Sequence, residues 1–164
     1  MAASADTLRT HLEYTAWATR RLLEAAARLS PAELSRDFNT SDKSVVGTLA
    51  HTFAADRIWL ARLQNEAGQG FISDDDRQLT VLQREWPALH GRWKQWAEAL
   101  TDASVAAVVS YKDIRGNPWT TPIWQILLHV VNHGTHHRGQ VSGFLRAMGQ
   151  TPPPLDLIAF YREK

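Results

Sequence analysis

The feature that most constrains this chain is a run of histidines, His129-Val-Val-Asn-His133-Gly-Thr-His136-His137-Arg-Gly-Gln140, set in a long apolar-periodic stretch. It places four of the chain's seven histidines within nine residues. The spacing predicts one long helix, on which His129, His133 and His137 stand one above another at roughly 100° per residue. With His129 at zero, Ile126, Val130, Val141, Phe144, Leu145 and Met148 fall at roughly 60° to 160°, the arc that a bundle buries. His137 falls at about 80°, inside that arc, and His133 at about 40°, on its edge. His129 and His136 fall outside it, at about 0° and −20°. An inward i, i+4 pair of imidazoles can share a metal ion. Either one can instead be a hydrogen-bonded core residue, and once desolvated each needs a partner of one kind or the other. The glutamate of an HExxH motif is missing, which removes a metalloprotease of that type.

What else the chain supplies narrows the chemistry. It has no cysteine, so disulfides, iron–sulfur clusters and thiolate ligands are excluded, and a metal must use His, carboxylate or water. The 164 residues suit a single domain, expected over 1–164, with 44% apolar and 21% charged residues, the balance of a soluble globular protein. A net charge of +1 without basic blocks gives no reason to expect nucleic acid or a membrane surface as partner. No charged-then-apolar leader and no apolar run near 18 residues is present, so a cytoplasmic protein is expected. Seven tryptophans imply several in the core or at an interface.

Taken in order, Leu8, Leu12, Ala16, Leu22, Leu23, Ala26 and Leu29 recur at three- and four-residue spacing and predict a first helix over about 5–29. Ser30-Pro31-Ala32-Glu33 reads as a capping box opening a short turn of helix. A second helix is expected from Ser41 or Asp42 to about Asn65, apolar around most of its girth, with His51 on the face of Thr48, Ala55, Ile58 and Trp59. A lone histidine there is a core residue by default and gains meaning only if it meets the inward pair. Residues 67–77 read as a loop, and Asp74-Asp75-Asp76 lacks the ligand spacing of an EF-hand. A third helix over about 78–100 carries Leu79, Leu82, Trp86, Leu89, Trp93, Trp96 and Leu100 inward, with a kink expected at Pro87.

Residues 101–120 change character. Val105 to Tyr111 favours extended backbone and Arg115-Gly116-Asn117-Pro118 a turn, so a crossover with a small two-stranded ribbon is expected. Thr121-Pro122 reads as cap and first residue of the fourth helix, which ends at Gly149. The tail after Pro152-Pro153-Pro154 should cross the bundle as an extended stretch and a last turn. The expectation is an all-α four-helix bundle with a long crossover before its last helix, a fold that hosts metals between facing helices.

The string Asn132-His133-Gly-Thr-His136-His137-Arg138-Gly139-Gln140, at this place in a fourth helix, resembles the signature of the DinB family. The resemblance extends over nearly the whole chain, including His51 in the second helix and the closing Pro-Pro segment with Asp156. It implies a divalent metal held by His51, His133 and His137, with His129 and His136 beside the site. Three neutral imidazoles leave coordination positions open, and imidazole suits zinc, nickel and iron, with zinc or nickel expected first. The resemblance further implies a metal-dependent transferase of the thiol-dependent type, or a related hydrolase-like enzyme, acting on a small-molecule substrate. A cysteine-free chain would take its low-molecular-weight thiol from outside. The alternative is a non-catalytic metal-binding, stress-response bundle with a structural ion.

No general base stands out. Asp56 lies about 140° around the helix from His51, nothing selects Glu13 or Tyr14, and His11 and His90 receive no role. A homodimer is expected from the four-residue spacing of Gly139 and Gly143, the tryptophan count and the resemblance.

Overall fold

The computed structural model describes residues 3–66 and 71–163. Four long helices make the body: α1 (Ala5–Ala26), α3 (Val45–Leu63), α4 (Leu79–Glu98) and α6 (Ile123–Ala147). Between and after them lie α2 (Pro31–Ser35), α5 (Asp102–Val105), β1 (Val108–Lys112), β2 (Pro118–Pro122) and α7 (Leu157–Glu163). A short 3₁₀ turn spans Asp75–Arg77. Helix α1 packs on α4 and α6, and α3 packs on the same two, so the four close into a bundle. No helix among the described residues is long and apolar enough to cross a membrane.

The core follows the apolar periodicity. Leu8 and Leu22 of α1, Leu60 of α3, Leu82 and Trp86 of α4, and Ile126, Leu127 and Leu145 of α6 are all fully buried. Each such side chain gains roughly 1.5–3 kcal/mol from leaving water. Helix α3 buries residues around most of its circumference, many of them small: Gly47, Ala50, Ala54, Ala55 and Ala61. Those small residues let both neighbouring helices approach closely, as the lack of a polar face on that segment implied.

Helix starts and stops show where local chemistry prevails. Ser30 and Glu33 form the expected capping box of α2, Ser30 Oγ accepting from the Glu33 amide and Glu33 Oε2 accepting from the Ser30 amide. Helix α3 starts later than expected: its cap is Ser44, whose hydroxyl accepts from the Gly47 amide at 3.1 Å, and not Ser41 or Asp42. The segment before it turns through Lys43 at φ 63°, which frees the Asp42 side chain for another use. Helix α1 stops at Ala26, short of Leu29. Helix α4 continues through Pro87, on its exposed side.

The crossover contains the ribbon, antiparallel, with Tyr111 opposite Trp119 and Val108 opposite Pro122. Its turn is held by Asp113, which accepts from the amides of Arg115 and Asn117, the Asn117 side chain and the Trp119 indole. These bonds, the Asn117 side chain first, hold the Asp113 carboxyl well below its usual range. Thr121 and Pro122 do not open the last helix as expected. They pair in β2, and α6 starts at Ile123, whose amide donates to Ala107 O at 2.9 Å. The tail is extended and then helical, α7 lying on α1. Glu163 there accepts from the Trp17 indole and from Arg21 twice, at 2.6 and 2.8 Å. Of the loop expected over 67–77, residues 67–70 lie outside the described residues.

One glycine links this architecture to the histidines. A Cβ added to Gly47 would stand 2.1 Å from the main-chain oxygen of Asp42, so only glycine fits where the entry loop crosses the first turn of α3. Gly47→Ala should destabilise the protein by about 1–3 kcal/mol, because backbone must move to relieve the contact. Denaturant unfolding checks this, and unchanged stability would show that the loop is not held there.

Candidate metal centre

Packing of α3 against α6 brings His51 to the histidine stripe. His51 Nε2 lies 3.1 Å from His133 Nε2, which lies 3.2 Å from His137 Nε2. One ligand nitrogen from each of the three falls within 4.8 Å of the others. Two imidazole nitrogens on one ion, each at about 2.0–2.1 Å and about 100–110° apart, stand about 3.1–3.4 Å from one another. Both short separations fall in that range. His137 is buried and His51 and His133 are half-buried, whereas His129 and His136 are exposed, the order expected from the helical wheel.

The outer nitrogens decide how the inner ones are presented. His137 Nδ1 donates to Gln140 Oε1 at 2.7 Å, which leaves its Nε2 with a lone pair. His51 Nδ1 faces the Asp42 carboxylate at 3.5 Å, which favours the same tautomer. Two lone pairs therefore point at His133 Nε2, which can donate to only one of them. A cation at the common focus of the three nitrogens relieves this mismatch, and the donor set fits a divalent ion. Burial, then the charges of His137 and His51, push the His133 pKa down to about 3. Burial likewise lowers His137, against the Gln140 bond. Both rings are thus in the neutral form that a metal requires.

Around the trio sits an aromatic rim. The Phe71 ring meets His51 edge-on at 5.4 Å between centroids, and His129 lies between His133 and Trp59. Arg62 stacks over Trp59 and Tyr111 and donates to Lys112 O, tying the ribbon to α3. A cavity of about 380 Å³ between α3 and the ribbon is lined by Ile58, Arg62, Phe71 and Tyr111, and it adjoins the histidines through Phe71. Behind His137, by contrast, the core leaves only about 10 Å³. Among the described residues, the cluster contains no fourth His, Asp or Glu that could close it.

Comparison with known proteins gives this arrangement a lineage. The model of the DinB family matches residues 1–164. The chain belongs to the DinB family. It is 20% identical to Protein DinB of Bacillus subtilis (strain 168) over 152 residues, covering 88% of this chain and 87% of that protein. Its fold is similar to the crystal structure of a DinB-like protein from Bacillus cereus ATCC 10987, with a TM-score of 0.67 and 18% identity. That match covers 94% of this chain and 99% of the other.

The structure gives the residues of the DinB-like string separate duties. Gly134 leaves room for the buried guanidinium of Arg138, since a Cβ there would stand 2.7 Å from Arg138 Nη1. Arg138 donates to Thr135 Oγ1 at 2.8 Å and lies over the Tyr14 ring, so Tyr14 supports the motif from α1. Tyr14 in turn donates to Leu155 O, which ties the tail to the same place. Gln140 orients His137, a pairing that its i+3 position allowed but did not require. Asp42 had no signal in the sequence, because its place depends on the left-handed turn at Lys43. Glu13 borders a different cavity, between α1 and α4, together with Asp56 and His90.

Asp42→Asn and Gln140→Leu should each weaken zinc binding by about 10–100-fold while leaving the helical content unchanged. Competition against a chromophoric chelator measures this. Parental affinity in both variants would show that the outer nitrogens are not what orients the rings.

Proposed function

We propose that this DinB-family protein is a metal-dependent enzyme whose divalent ion, zinc or nickel before iron, is held by His51, His133 and His137. The reaction class is transfer assisted by an external low-molecular-weight thiol onto a small-molecule substrate. One observation carries the reading: three Nε2 atoms from two helices converge beside a cavity, that of His137 presented by the Gln140 bond and that of His51 favoured by the Asp42 carboxylate behind it, with no fourth His, Asp or Glu in the cluster among the described residues. A closed structural site would need that fourth ligand.

A divalent ion there supplies Lewis acidity, favouring the ionised form of a thiol or water. The chain's own part is positional. Gln140 holds His137 in the ligating tautomer, the Asp42 carboxylate 3.5 Å from His51 Nδ1 favours the same one there, and burial keeps His133 and His137 neutral. Phe71, Trp59 and Tyr111 provide apolar walls beside the cluster, and Arg62 adds the one cation lining that cavity among the described residues apart from Lys112. Since the sequence contains no cysteine, the thiol has to be a co-substrate.

Cobalt replacement tests this. Added low-molecular-weight thiol should give an intense near-ultraviolet charge-transfer band, stronger at higher pH because binding releases the thiol proton. The band should be missing in His133→Ala. A site unresponsive to thiol at any concentration would favour the structural ion of a non-catalytic bundle.

We also propose that the protein works as a homodimer. Gly139 and Gly143 lie exposed on α6, and a Cβ added to either meets nothing within 4 Å, so none of the described residues packs closely on them. A second chain can approach closely at that spacing. Light scattering at micromolar concentration should give twice the chain mass, and a clean monomer mass would reject the assembly.

A further inference from the structure

The cavity of about 380 Å³ between α3 and the ribbon is lined by two acids and two bases among the described residues, and only the acids are committed. Glu66 accepts from Arg92 through both oxygens, at 2.9 and 3.0 Å. Asp113 accepts four bonds inside the ribbon turn, from two amides, the Asn117 side chain and the Trp119 indole. Arg62, by contrast, forms no ion pair among the described residues. Its one hydrogen bond there runs from Nη2 to the main-chain oxygen of Lys112 at 3.0 Å. Its Nε and Nη1 are unbonded, and neither is sealed in the interior. The Lys112 side chain is exposed and has no partner among the described residues. The remaining polar groups of the lining, on Asn65, Ser110 and Tyr111, are neutral.

A guanidinium keeps its charge and only donates, so what completes Arg62 is an acceptor that carries negative charge. Burial lowers the Arg62 pKa, against the fields of Tyr111 and Asp113, so its charge is under-compensated where it stands. Its position is nevertheless held. The guanidinium carbon lies 4.6 Å from the Trp59 ring centre and 4.7 Å from that of Tyr111, two rings that meet edge to face. A donor placed in advance loses little freedom on binding. With two acids close by, a carboxylate of single charge suits the site better than a phosphate carrying about −1.5 to −2.

Ile58, Ala61 and Phe71 give the cavity apolar wall, and Phe71 also meets His51. Arg62 stands eleven residues after His51, about 20° around α3 and roughly 16 Å along it, with its head turned back over Trp59. An elongated molecule lying along this face reaches both.

We propose that the cavity between α3 and the ribbon seats the carboxylate of an elongated substrate: Arg62 bonds the carboxylate, Lys112 adds its charge, and the apolar body runs past Phe71 toward the three histidines. The carboxylate seat stands on this cavity alone, whereas its service to the histidine cluster rests on the metal-dependent reaction proposed above.

Octanoate is the first probe, with octanamide as its neutral counterpart, and the Trp59 indole N–H resonance of the full chain is the readout. A saturable shift is expected, with octanamide weaker by at least about tenfold, the loss of a charge-assisted bond. Arg62→Gln should weaken octanoate by a similar factor. Lys112→Glu, at a side chain that packs on nothing described, should weaken it about fivefold and decides the matter if Arg62→Gln does not fold. Folded, metal-free His133→Ala should bind octanoate as the parent does. The seat is overturned by absence of a saturable shift at millimolar octanoate, by equal binding of octanamide, or by parental affinity in either cation variant. Loss of octanoate binding in His133→Ala would place the carboxylate on the ion and overturn it too. On the cobalt protein, ω-mercaptooctanoate should raise the near-ultraviolet charge-transfer band at a concentration at least about tenfold below that of ω-mercaptooctanol, an advantage lost in Arg62→Gln. Equal concentrations would overturn the link between seat and cluster. No band from either thiol, with octanoate still bound, would refute the metal-dependent reaction and leave the seat standing.

Discussion

Three half-desolvated imidazoles facing one another are the constraint around which this bundle is arranged. His133 receives the Nε2 atoms of His51 and His137 at 3.1 and 3.2 Å, and it has at most one proton to offer them. Buried polar atoms without partners are rare because each costs about 1–3 kcal/mol. A cation at their focus turns that cost into binding energy. Everything near the cluster then has a clear purpose. Small residues on α3 allow it close to α6, Gln140 sets the His137 tautomer while the Asp42 carboxylate favours the same one in His51, and Gly134 with Arg138 packs the turn of α6 between His133 and His137 against α1.

Helix α3 serves two polar groups on different sides. His51 faces α6 and the ribbon, while Asp56 faces α4, where it anchors two tryptophan indoles. The ribbon belongs to the first side: Arg62, Trp59 and Tyr111 stack between it and α3, and His129 adds its ring to that wall. Burial, and the nearby Arg62 charge, lower the His129 pKa, so this exposed-edge histidine too favours its neutral form. The long crossover is therefore the segment that shapes the approach to the histidines.

Much of this was legible in the chain. The four long helices follow from apolar spacing, and the ribbon from the extended preference of 105–111 followed by a turn sequence, although Val105 closes α5 and the strand begins only at Val108. The wheel separated His133 and His137 from His129 and His136, because burial on one helix depends only on angle. His51 could not be reached that way; only the resemblance to the DinB family joined it to the pair. Boundaries failed where two local signals competed. Thr121-Pro122 resembles a helix start, but strand pairing with Val108 and Val109 took it. Ser41, Asp42 and Ser44 could each cap a helix, and the choice of Ser44 rests on the left-handed turn at Lys43. The Asp56–His90 neighbourhood was hidden because it joins two helices through a tertiary contact with no spacing of its own.

The central claim is that His51, His133 and His137 together, and no other histidine, hold an ion. Bound metal per chain, measured on the purified protein and on alanine variants of all seven histidines, tests it most directly. About one divalent ion per chain is expected in the parent and in the His11, His90, His129 and His136 variants, with empty but folded protein for the three cluster variants. Metal retained in His137→Ala, or lost in His90→Ala, would contradict the assignment.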